Sequence, residues 1–477
     1  MGGVRPAGER ALTERKARDG FDVAVIGAGV VGCAIARRLT LEGARVVVLE
    51  KAADVLDGAS KANSAILHTG FDAPPGSLEA ALVAAGHEEY RAIHARLGLP
   101  LMETGALVIA WSEAEEARLP AIVEDARRNG VDDVALLTAR QVRALEPGLG
   151  EGVRAAVRVP GESIVDAWSA PHAYLLQALG NGAVLALSAE VLSGHLEAGR
   201  WRLETAGGPV EAGVVVNAAG LHGDTVDRRL LGETHFSIRP RKGQFVVFDK
   251  SAFALADHIL LPVPTAITKG VVVCRTAWGN LLVGPTAEEQ EDREAAPLTR
   301  EALEALLARA RAILPALAGH EVTAAYAGLR PASETKDYRI RHDAARRMVT
   351  VGGIRSTGLS AALGIARHVH RLVEEIAGPT QRLADPDWPR VRNISEAAPR
   401  DWQAPGNGGI VCHCERVTRR EVEEALKGPL AARSLAGLKR RTRVTMGRCQ
   451  GFYCTAELAR ITRGRLAEPM MARDGDH

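Results

Sequence analysis

The sequence predicts an α/β protein with three parts: a parallel-sheet domain built from separate segments, an inserted α+β domain, and a small helical C-terminal domain. The first observation is a strand–turn–helix–strand pattern over residues 21–50. The second is that apolar strand patterns ending in small residues return near 214–220 and 349–377, with antiparallel-looking strands between them. The third is a proline- and glycine-rich stretch over 378–410, followed by a tail that holds four of the six cysteines.

Length and composition indicate an ordinary globular protein. The chain has 477 residues, of which 46% are hydrophobic and 25% charged, so two or three domains with a large core are expected. A net charge of +2 gives no overall affinity for polyanions, and nucleic-acid binding is not expected.

The sequence leads us to expect neither a targeting signal nor a membrane-spanning segment. Residues 1–20 are polar and lack the apolar run of a signal peptide, so we interpret them as a mobile arm. No uninterrupted apolar run has the length needed to cross a bilayer. We expect a cytoplasmic protein with no direct membrane insertion, peripheral to the inner membrane at most through a partner.

The pattern over residues 21–50 predicts a βαβ unit. Residues 22–26 are β-branched and apolar, as in a buried parallel strand. A helix is expected over 30–41, ended by Gly43, and a second apolar strand over 45–49.

Three glycines and an acid give this unit its predicted chemistry. Gly27 permits a sharp turn, Gly29 lets a pyrophosphate approach the backbone, and Gly32 lets the helix pack close to the strand. The helix N-terminus then faces the phosphates. Glu50, at the end of the second strand, can accept hydrogen bonds from a ribose diol, which favours FAD or NAD over NADP.

Two further segments suit a backbone that passes a bound cofactor. Residues 59–70 are small, polar and glycine-terminated, although an ordinary surface loop explains them equally well. Residues 214–220 form an apolar strand that ends in Ala219 and Gly220. We expect the second segment to approach the same cofactor.

The remaining elements follow from hydrophobic periodicity. Helices are predicted over 78–97, 113–129, 137–145, 167–179, 298–313 and 358–377. Strands are predicted over 105–111, 183–187, 201–204, 239–248, 271–275, 280–285, 324–330 and 349–353.

These elements predict the domain boundaries. The nucleotide-binding domain comprises 21–85, 161–235 and 326–377, and the substrate domain comprises 86–160 and 236–325. A linker over 378–408 is long enough to wrap along a surface. The small domain comprises 409–477 and is too short to rely on its core alone, so a metal is expected to stabilise it.

Four cysteines indicate a metal centre in that domain. They form a C-x-C pair and a C-x4-C pair, Cys412, Cys414, Cys449 and Cys454. Four thiolates suit zinc or a 2Fe–2S cluster, but zinc sites usually use C-x2–4-C at both ends, so iron–sulfur is favoured and zinc is the alternative. Thr418 and Glu421 predict a capping box just after the first pair, and Thr455 is a candidate cap after the second. We interpret His413 as a neighbour of the centre rather than a ligand.

Candidate catalytic residues are few. Arg330 and Arg355 are flanked by glycine and could each present a guanidinium fork to an anionic substrate. Pairing with a nearby acid explains either arginine alone equally well, but two arginines in such positions favour an anionic substrate. His68 could accept a proton when a C–H is transferred as hydride. Alternatives are Lys242, Lys269 and His258, and we interpret His222 as cofactor-side or structural.

A basic run over 439–443 has two interpretations. The favoured one is a solvated face, and the other is a docking patch for an acidic electron-transfer partner. No aromatic residues interleave with the charges, which again argues against nucleic acid.

Several segments carry a resemblance to a known family: FDVAVIGAGVVGCAIARRL, ASKANSAILHTG, VVNAAG, LLVGPTAEE, AGLRPASE and GIRSTGLSAALGIA. They resemble FAD-dependent oxidoreductases of the D-amino-acid-oxidase superfamily, most of all the anaerobic glycerol-3-phosphate dehydrogenases, with L-2-hydroxyglutarate oxidases as near relatives. The segments VCHCERVT and GRCQGFYC are similar to the BFD-like 2Fe–2S domain.

The resemblance implies a discontinuous Rossmann-like FAD-binding domain, an inserted α+β substrate domain and a small helical iron–sulfur domain. It implies that Arg330 holds the substrate anion, and the position of Arg355, where relatives have an acid, favours a phosphate or a differently placed carboxylate. It implies that FAD is bound by Gly27, Gly29, Gly32, Glu50, Lys51, Ser60, Asn63, Ser64, Val191, Ala219, Gly220, Gly358, Leu359 and Ser360.

The function expected from the resemblance is a flavin dehydrogenase. A small anionic hydroxy substrate gives hydride to FAD, and electrons pass through the 2Fe–2S cluster to an electron-accepting partner subunit. One alternative is a 2-hydroxyglutarate-type, amine or opine dehydrogenase. Another is an electron-transfer subunit that performs no substrate chemistry.

Overall fold

A computed structural model describes residues 20–264, 270–467 and 469–470. The predicted N-terminal arm lies outside the described residues, apart from Gly20, and so does Lys269.

The described strands follow in chain order. They are β1 (Phe21–Ile26), β2 (Val46–Leu49), β3 (Ile66–Leu67), β4 (Leu101–Met102), β5 (Ala106–Ala110), β6 (Ala135–Thr138), β7 (Ala155–Val159), β8 (Ser163–Val165), β9 (Val184–Ala186), β10 (Val191–Glu197), β11 (Arg200–Thr205), β12 (Val210–Asn217), β13 (Ile238–Phe248), β14 (Ile259–Pro262), β15 (Val272–Arg275), β16 (Leu281–Gly284), β17 (Glu288–Glu289), β18 (Val322–Ser333), β19 (Arg339–Asp343), β20 (Met348–Gly352), β21 (Ile410–Cys412) and β22 (Val417–Thr418).

The described α-helices are α1 (Val30–Leu41), α2 (Leu78–Leu97), α3 (Glu113–Glu116), α4 (Leu119–Arg128), α5 (Ala139–Leu145), α6 (Ser169–Gly180), α7 (Gly223–Leu231), α8 (Arg300–Ile313), α9 (Gly358–Ala377), α10 (Arg419–Ala425), α11 (Leu435–Thr442) and α12 (Thr455–Thr462). The single helix predicted over 113–129 is two helices, α3 and α4. Pro120 lies in the first turn of α4, where its missing N–H is tolerated, and it cannot continue a helix that began earlier.

The first sheet has the predicted α/β character. Its parallel strands run in the order β9, β2, β1, β12, β20, and the antiparallel strands β10, β11 and β19 extend it. These parallel strands are almost continuously buried, as sheets covered by helices on both faces require. The α/β prediction is therefore confirmed, although β10 was missed because its strand is largely exposed and lacks an apolar pattern.

Close helix packing fixes the first turn of α9 beside the sheet. A Cβ on Gly86 of α2 would lie 2.0 Å from the Ser360 carbonyl oxygen, and one on Gly364 would lie 2.1 Å from the Leu82 carbonyl oxygen. Only glycine allows this approach of α2 to α9. The contact positions Ser360 at the edge of the large cavity described below.

The second sheet belongs to the inserted part of the chain. Its strands run β17, β13, β16, β15, β14, β5, β7, β6, and β18 also pairs with β13. The predicted boundary at residue 326 divides β18, which pairs with β13 from Ile238↔Ser333 to Phe248↔Val322. Strand pairing thus assigns the whole of β18, up to Ser333, to this sheet.

The segment predicted as a linker lies against the first domain. The Leu383 backbone N–H donates to the Leu41 carbonyl and the Val391 N–H to the Leu97 carbonyl. The Arg96 guanidinium stacks 3.9 Å from the Trp388 ring centroid. The segment thus follows a defined path to the small domain.

The small domain has its own core and the predicted capping box. Thr418 Oγ1 accepts from the Glu421 N–H, and the Glu421 carboxylate accepts from the Thr418 N–H. Val417, Leu438 and Leu458 are fully buried. Thr455 is not the cap of α12, because Cys454 holds that position and the Thr455 hydroxyl donates back to the Gly451 carbonyl.

Both interpretations of the basic run 439–443 are wrong for its arginines. Arg440 and Arg443 are only 4% exposed. Arg441 pairs with Asp54 at 2.8 Å, and Arg440 pairs with Asp57 at 3.3 Å. These ion pairs, which we call the arginine clamp, join the small domain to the loop after β2. The sequence could not predict this because the acids lie almost four hundred residues away.

A search of the described residues for a helix with the length and hydropathy of a membrane span finds none.

Candidate functional site

The glycine turn between β1 and α1 is enforced by close contacts. Gly27 has φ +103°, and a Cβ there would lie 2.7 Å from the Ala218 carbonyl oxygen. A Cβ on Gly32 would lie 1.9 Å from the Gly27 carbonyl oxygen. Near Gly29 a Cβ would meet only the Ser60 hydroxyl, at 3.2 Å. The turn therefore leaves room at Gly29 and the N-terminus of α1, as a pyrophosphate requires.

Glu50 supports this turn from the end of β2. Its Oε2 accepts from the Ala28 N–H at 2.7 Å and its Oε1 from the Ala52 N–H at 2.9 Å. Burial raises the pKa of Glu50, whereas the two backbone N–H groups oppose that shift. Each oxygen keeps a second lone pair, so a ribose diol can still be bound.

A cavity of about 750 Å³ runs from this turn to the second sheet. Every predicted FAD-binding residue lines it except Gly32 and Ser360, and all three candidate catalytic residues line it. Gly32 lies behind the turn, where it sets the packing of α1, and Ser360 lies just outside the wall. Binding by these residues stays a prediction, and the cavity gives it a location.

Sequence reasoning missed several charged residues of the wall, among them Arg241, Arg293 and Glu294. Lys51 pairs with Glu294 at 2.9 Å, and the Lys51 ammonium lies 3.1 Å from His222 Nε2. Burial lowers the pKa of His222, which favours its neutral form beside this ammonium. His222 lines the cavity together with Lys51, and its role as a cofactor-side or structural residue stays a prediction.

His68 is held by two distant parts of the chain. Its backbone N–H donates to Ser360 Oγ at 2.8 Å, and its Nδ1 lies 2.7 Å from Glu162 Oε2. Glu162 is fully buried and was not anticipated, because nothing in the sequence links residue 162 to residue 68. The alternatives lie elsewhere: His258 pairs with Glu146, Lys242 pairs with Glu288, and neither side chain lines the cavity.

The two candidate arginines differ in their partners. Arg355 Nη2 lies 3.0 Å from Glu79 Oε2, and Glu79 is 1% exposed, so the Arg355 charge is matched within the protein. Arg330 donates only to the Thr286 carbonyl, at 3.1 Å, and no carboxylate of the described chain lies within ion-pair distance of it. Burial and the neighbouring Arg241 lower the pKa of Arg330 to about 10, which leaves it charged at neutral pH.

The four cysteines of the small domain converge as two pairs. Burial raises the pKa of Cys414 and of Cys454, and the neighbouring thiols of Cys449 and Cys412, respectively, add to these two shifts. Among the described residues, no group of three or more His, Cys, Asp or Glu side chains could hold a metal ion. A 2Fe–2S cluster takes four cysteine thiolates, and these four cysteines supply that number.

The C-x4-C loop is built to hold a thiolate. The backbone N–H groups of Tyr453, Gly451 and Phe452 lower the pKa of Cys449, Tyr453 contributing most. Burial raises the pKa of Cys454 to about 12 and also raises that of Cys414. The loop therefore supplies hydrogen-bond donors to the Cys449 sulfur. Cys454 and Cys414 would lose their protons only when a metal binds.

A stacked tryptophan pair joins the cavity wall to the small domain. Trp168 Nε1 donates to the Lys61 carbonyl at 3.1 Å, and its ring lies 4.7 Å from that of Trp278. The Arg443 guanidinium stacks on Trp278, and Arg443 Nε donates to Glu415 at 2.9 Å. Because Glu415 follows Cys414 directly, the two candidate centres are connected by packed side chains.

Comparison with known families decides what this arrangement is. Residues 22–372 match the model of the FAD dependent oxidoreductase family, DAO. The chain belongs to this family. Residues 410–463 of this oxidoreductase match the BFD-like [2Fe-2S] binding domain, which confirms the iron–sulfur prediction over the zinc alternative. The glycine turn and the two thiol pairs fit these two cofactors.

Two relatives align with the oxidoreductase over most of its length. It is 32% identical to a glycerol 3-phosphate dehydrogenase of Caloramator mitchellensis, over 96% of this chain and 97% of that one. It is 26% identical to one component of the anaerobic glycerol-3-phosphate dehydrogenase of Escherichia coli K12, over 92% and 87% of the two chains. A solved L-α-glycerophosphate oxidase of Mycoplasma pneumoniae with FAD bound superposes with a TM-score of 0.72 at 27% identity, covering 78% of this chain and 98% of that one.

Proposed function

We propose that this FAD-dependent oxidoreductase oxidises glycerol 3-phosphate at its secondary alcohol and delivers the electrons, through the 2Fe–2S centre, to a partner protein. The observation that carries the proposal is Arg330, a buried guanidinium without a carboxylate partner among the described residues. A buried charge without a counter-ion costs free energy, so we expect an anion to bind beside Arg330 at the wall of the cavity. The names of the relatives in both comparisons support a phosphate ester as that anion.

The charges around Arg330 support a doubly charged group. Arg241, its cross-strand neighbour on β13, also lines the cavity, although it pairs with Glu289. A phosphate dianion can accept from both planar guanidinium groups, whereas a neutral polyol leaves Arg330 uncompensated. We therefore assign the phosphate end of the substrate to Arg330.

His68 is the group proposed to take the hydroxyl proton. It lies on the wall of the same cavity as Arg330, and its Nε2 has no hydrogen-bond partner among the described residues. When bound, FAD supplies the two-electron acceptor, and the cluster supplies a carrier that passes electrons singly. In this proposal the protein binds the phosphate of the substrate through Arg330 and presents His68 to the hydroxyl group as a base. The cavity shields the hydroxyl group and the base from water.

The domain division is part of this proposal. Residues 21–85, 161–235 and 334–377 would bind FAD, residues 86–160 and 236–333 would form the substrate wall, and 409–477 would hold the cluster. This division is supported by the two sheets, since cavity residues come from both.

An exposed aromatic pair supports a partner at the cluster. Phe452 is 81% exposed and Tyr453 is 74% exposed, and the loop that carries them surrounds Cys449. Aromatic side chains and arginine are enriched in protein interfaces, and Arg448 and Arg460 are exposed nearby in sequence. We propose that an acceptor protein with an acidic rim docks here and would attach the chain to the membrane.

Anaerobic reduction of the bound flavin by candidate substrates tests the proposal. Glycerol 3-phosphate is expected to bleach the flavin, whereas glycerol does not. Arg330→Met is expected to raise the substrate concentration for half-maximal reduction by about 10- to 100-fold, since a hydrogen bond to a charged group contributes about 1.5–3 kcal/mol.

The control is Arg239→Met, an exposed arginine on the same sheet and outside the cavity. It should leave the half-maximal concentration unchanged. Reduction by L-2-hydroxyglutarate or by an amino acid, but not by glycerol 3-phosphate, would reject the assignment of substrate. Reduction only by another flavoprotein would favour a non-catalytic electron-transfer subunit.

A further inference from the structure

Glu162 is a fully buried carboxylate, and both of its oxygens have partners. Its Oε1 accepts from the Thr69 backbone N–H at 2.7 Å and from the Thr69 hydroxyl at 2.9 Å. Its Oε2 lies 2.7 Å from His68 Nδ1. The carboxylate thus bridges the backbone of one residue and the ring of the residue before it.

The turn that carries Glu162 is itself fixed. Gly161 accepts at its carbonyl from His87 on α2, at 3.1 Å, and a Cβ on Gly161 would lie 2.7 Å from Thr69 Cγ2. The Glu162 carbonyl accepts from the Gly105 N–H at 2.9 Å. A carboxylate held from both sides can orient the group that it binds.

We propose that Glu162 is a positioning residue that sets the tautomer of His68. An ionised carboxylate can only accept, so Nδ1 must carry a proton and the lone pair of neutral His68 must be on Nε2. His68 Nε2 has no partner among the described residues, and the residue lines the cavity. The unprotonated nitrogen is therefore the one that remains available to a substrate hydroxyl.

The inference rests on the proposed function for its consequence in turnover. With FAD bound as the acceptor of the substrate hydride, the hydroxyl proton would move to His68 Nε2 and the alcohol would become a ketone. Nδ1 keeps its proton, and Glu162 stays ionised beside the imidazolium that forms. The proton and the electron pair are thus both accounted for, and Glu162 stabilises the positive charge without accepting the proton.

Glu162→Gln is a sharp test because the Thr69 backbone N–H can only donate. The amide must turn its oxygen toward that N–H, which leaves its NH2 group facing Nδ1. Nδ1 then has to accept, and the His68 proton moves to Nε2. The rate constant for flavin reduction is expected to fall by ~10²–10⁴-fold, the range that general base catalysis contributes, with the half-maximal substrate concentration little changed.

The chain offers a matched control. Glu146 is 2% exposed, its Oε1 lies 2.7 Å from His258 Nδ1, and it also accepts from the backbone N–H groups of Asp257 and His258. Neither Glu146 nor His258 lines the cavity. Glu146→Gln removes the same charge from the same kind of pair and is expected to leave the reduction rate constant unchanged.

Two further readouts separate positioning from stability. ¹⁵N NMR of labelled histidine, assigned with His68→Gln, should find the proton on Nδ1 in the wild type and on Nε2 in Glu162→Gln. The double variant with His68→Gln should be no slower than His68→Gln alone, because Glu162 acts through His68.

A wild-type His68 with its proton on Nε2 would overturn the inference, even if the Gln variant fails to fold. An unchanged rate in a folded Glu162→Gln protein would also overturn it. If glycerol 3-phosphate does not reduce the wild-type flavin, the proposed function fails, and the NMR result alone decides the tautomer.

Discussion

The two cofactor sites of this chain differ in whether backbone or side chains form them. The FAD site is made mainly of backbone: a glycine turn with φ +103° at Gly27, and contacts that a single Cβ would break. The cluster site is made of four side chains on a domain of roughly seventy residues. Its loops also carry strained residues, with positive φ at Arg443, Thr445 and Gln450. The first site is determined by protein packing, whereas the second depends on bonds that the metal supplies.

The largest effect is therefore expected at a cysteine. Cys454 is 1% exposed and pairs with Cys412, so Cys454→Ser should remove the cluster completely. Flavin content and flavin reduction by substrate should remain, while electron delivery to a one-electron protein acceptor is lost. Iron analysis, visible spectra and stopped-flow reduction measure these quantities.

A parallel loss of flavin in Cys454→Ser would show that the two sites are not independent. The matched control is Cys274→Ser, since Cys274 is a buried core cysteine of β15 and not a ligand. It should retain both cofactors.

The reciprocal change should spare the cluster. At Gly32 a Cβ would lie 1.9 Å from a backbone oxygen, and overpacking of this kind costs about 1–3 kcal/mol. Gly32→Val is expected to weaken FAD binding by about 10- to 100-fold, because the cost falls on the turn. Flavin retention after dialysis measures this, with iron content as the internal reference.

Gly319→Ala is the control for that substitution, since a Cβ there meets nothing within 4 Å. Tight flavin binding by Gly32→Val would mean that the close contact at the turn does not determine the site.

The smallest effects on the content of either cofactor are expected where the two regions meet. Asp54 is 2% exposed and pairs with Arg441, and its loss would leave that arginine buried without a counter-ion. Asp54→Ala should cost about 3–5 kcal/mol at this contact. Asp57 is half-exposed, and Arg440 also donates to the Val55 carbonyl at 2.9 Å, so Asp57→Ala should cost less than Asp54→Ala.

Limited proteolysis across residues 378–408 measures this difference, because loosening of the small domain exposes the segment that leads to it. Equal cleavage of Asp54→Ala and the wild type would show that the arginine clamp does not hold the domain.

The same contrast explains what the sequence could predict. Helix α1, helix α2 and helix α9 have the predicted limits, because glycine, capping and periodicity are local signals. The cysteine centre was predicted because the spacing of the four cysteines is visible in the sequence. Contacts between residues far apart in the sequence were not predicted. The pairing of Arg355 with Glu79, the link of Glu162 to His68 and the burial of Arg440 all depend on tertiary packing.

The path of residues 378–408 has a consequence for electron exit. A carrier on a free tether can visit donor and acceptor in turn, but this segment is tied down at Leu41 and Leu97, and the domain beyond it is gripped by Asp54. We therefore expect the distance between the two carriers to stay constant through the catalytic cycle. The acceptor would then have to travel to the cluster, and we expect its rate of arrival, rather than a swing of the small domain, to set how fast the last electron departs.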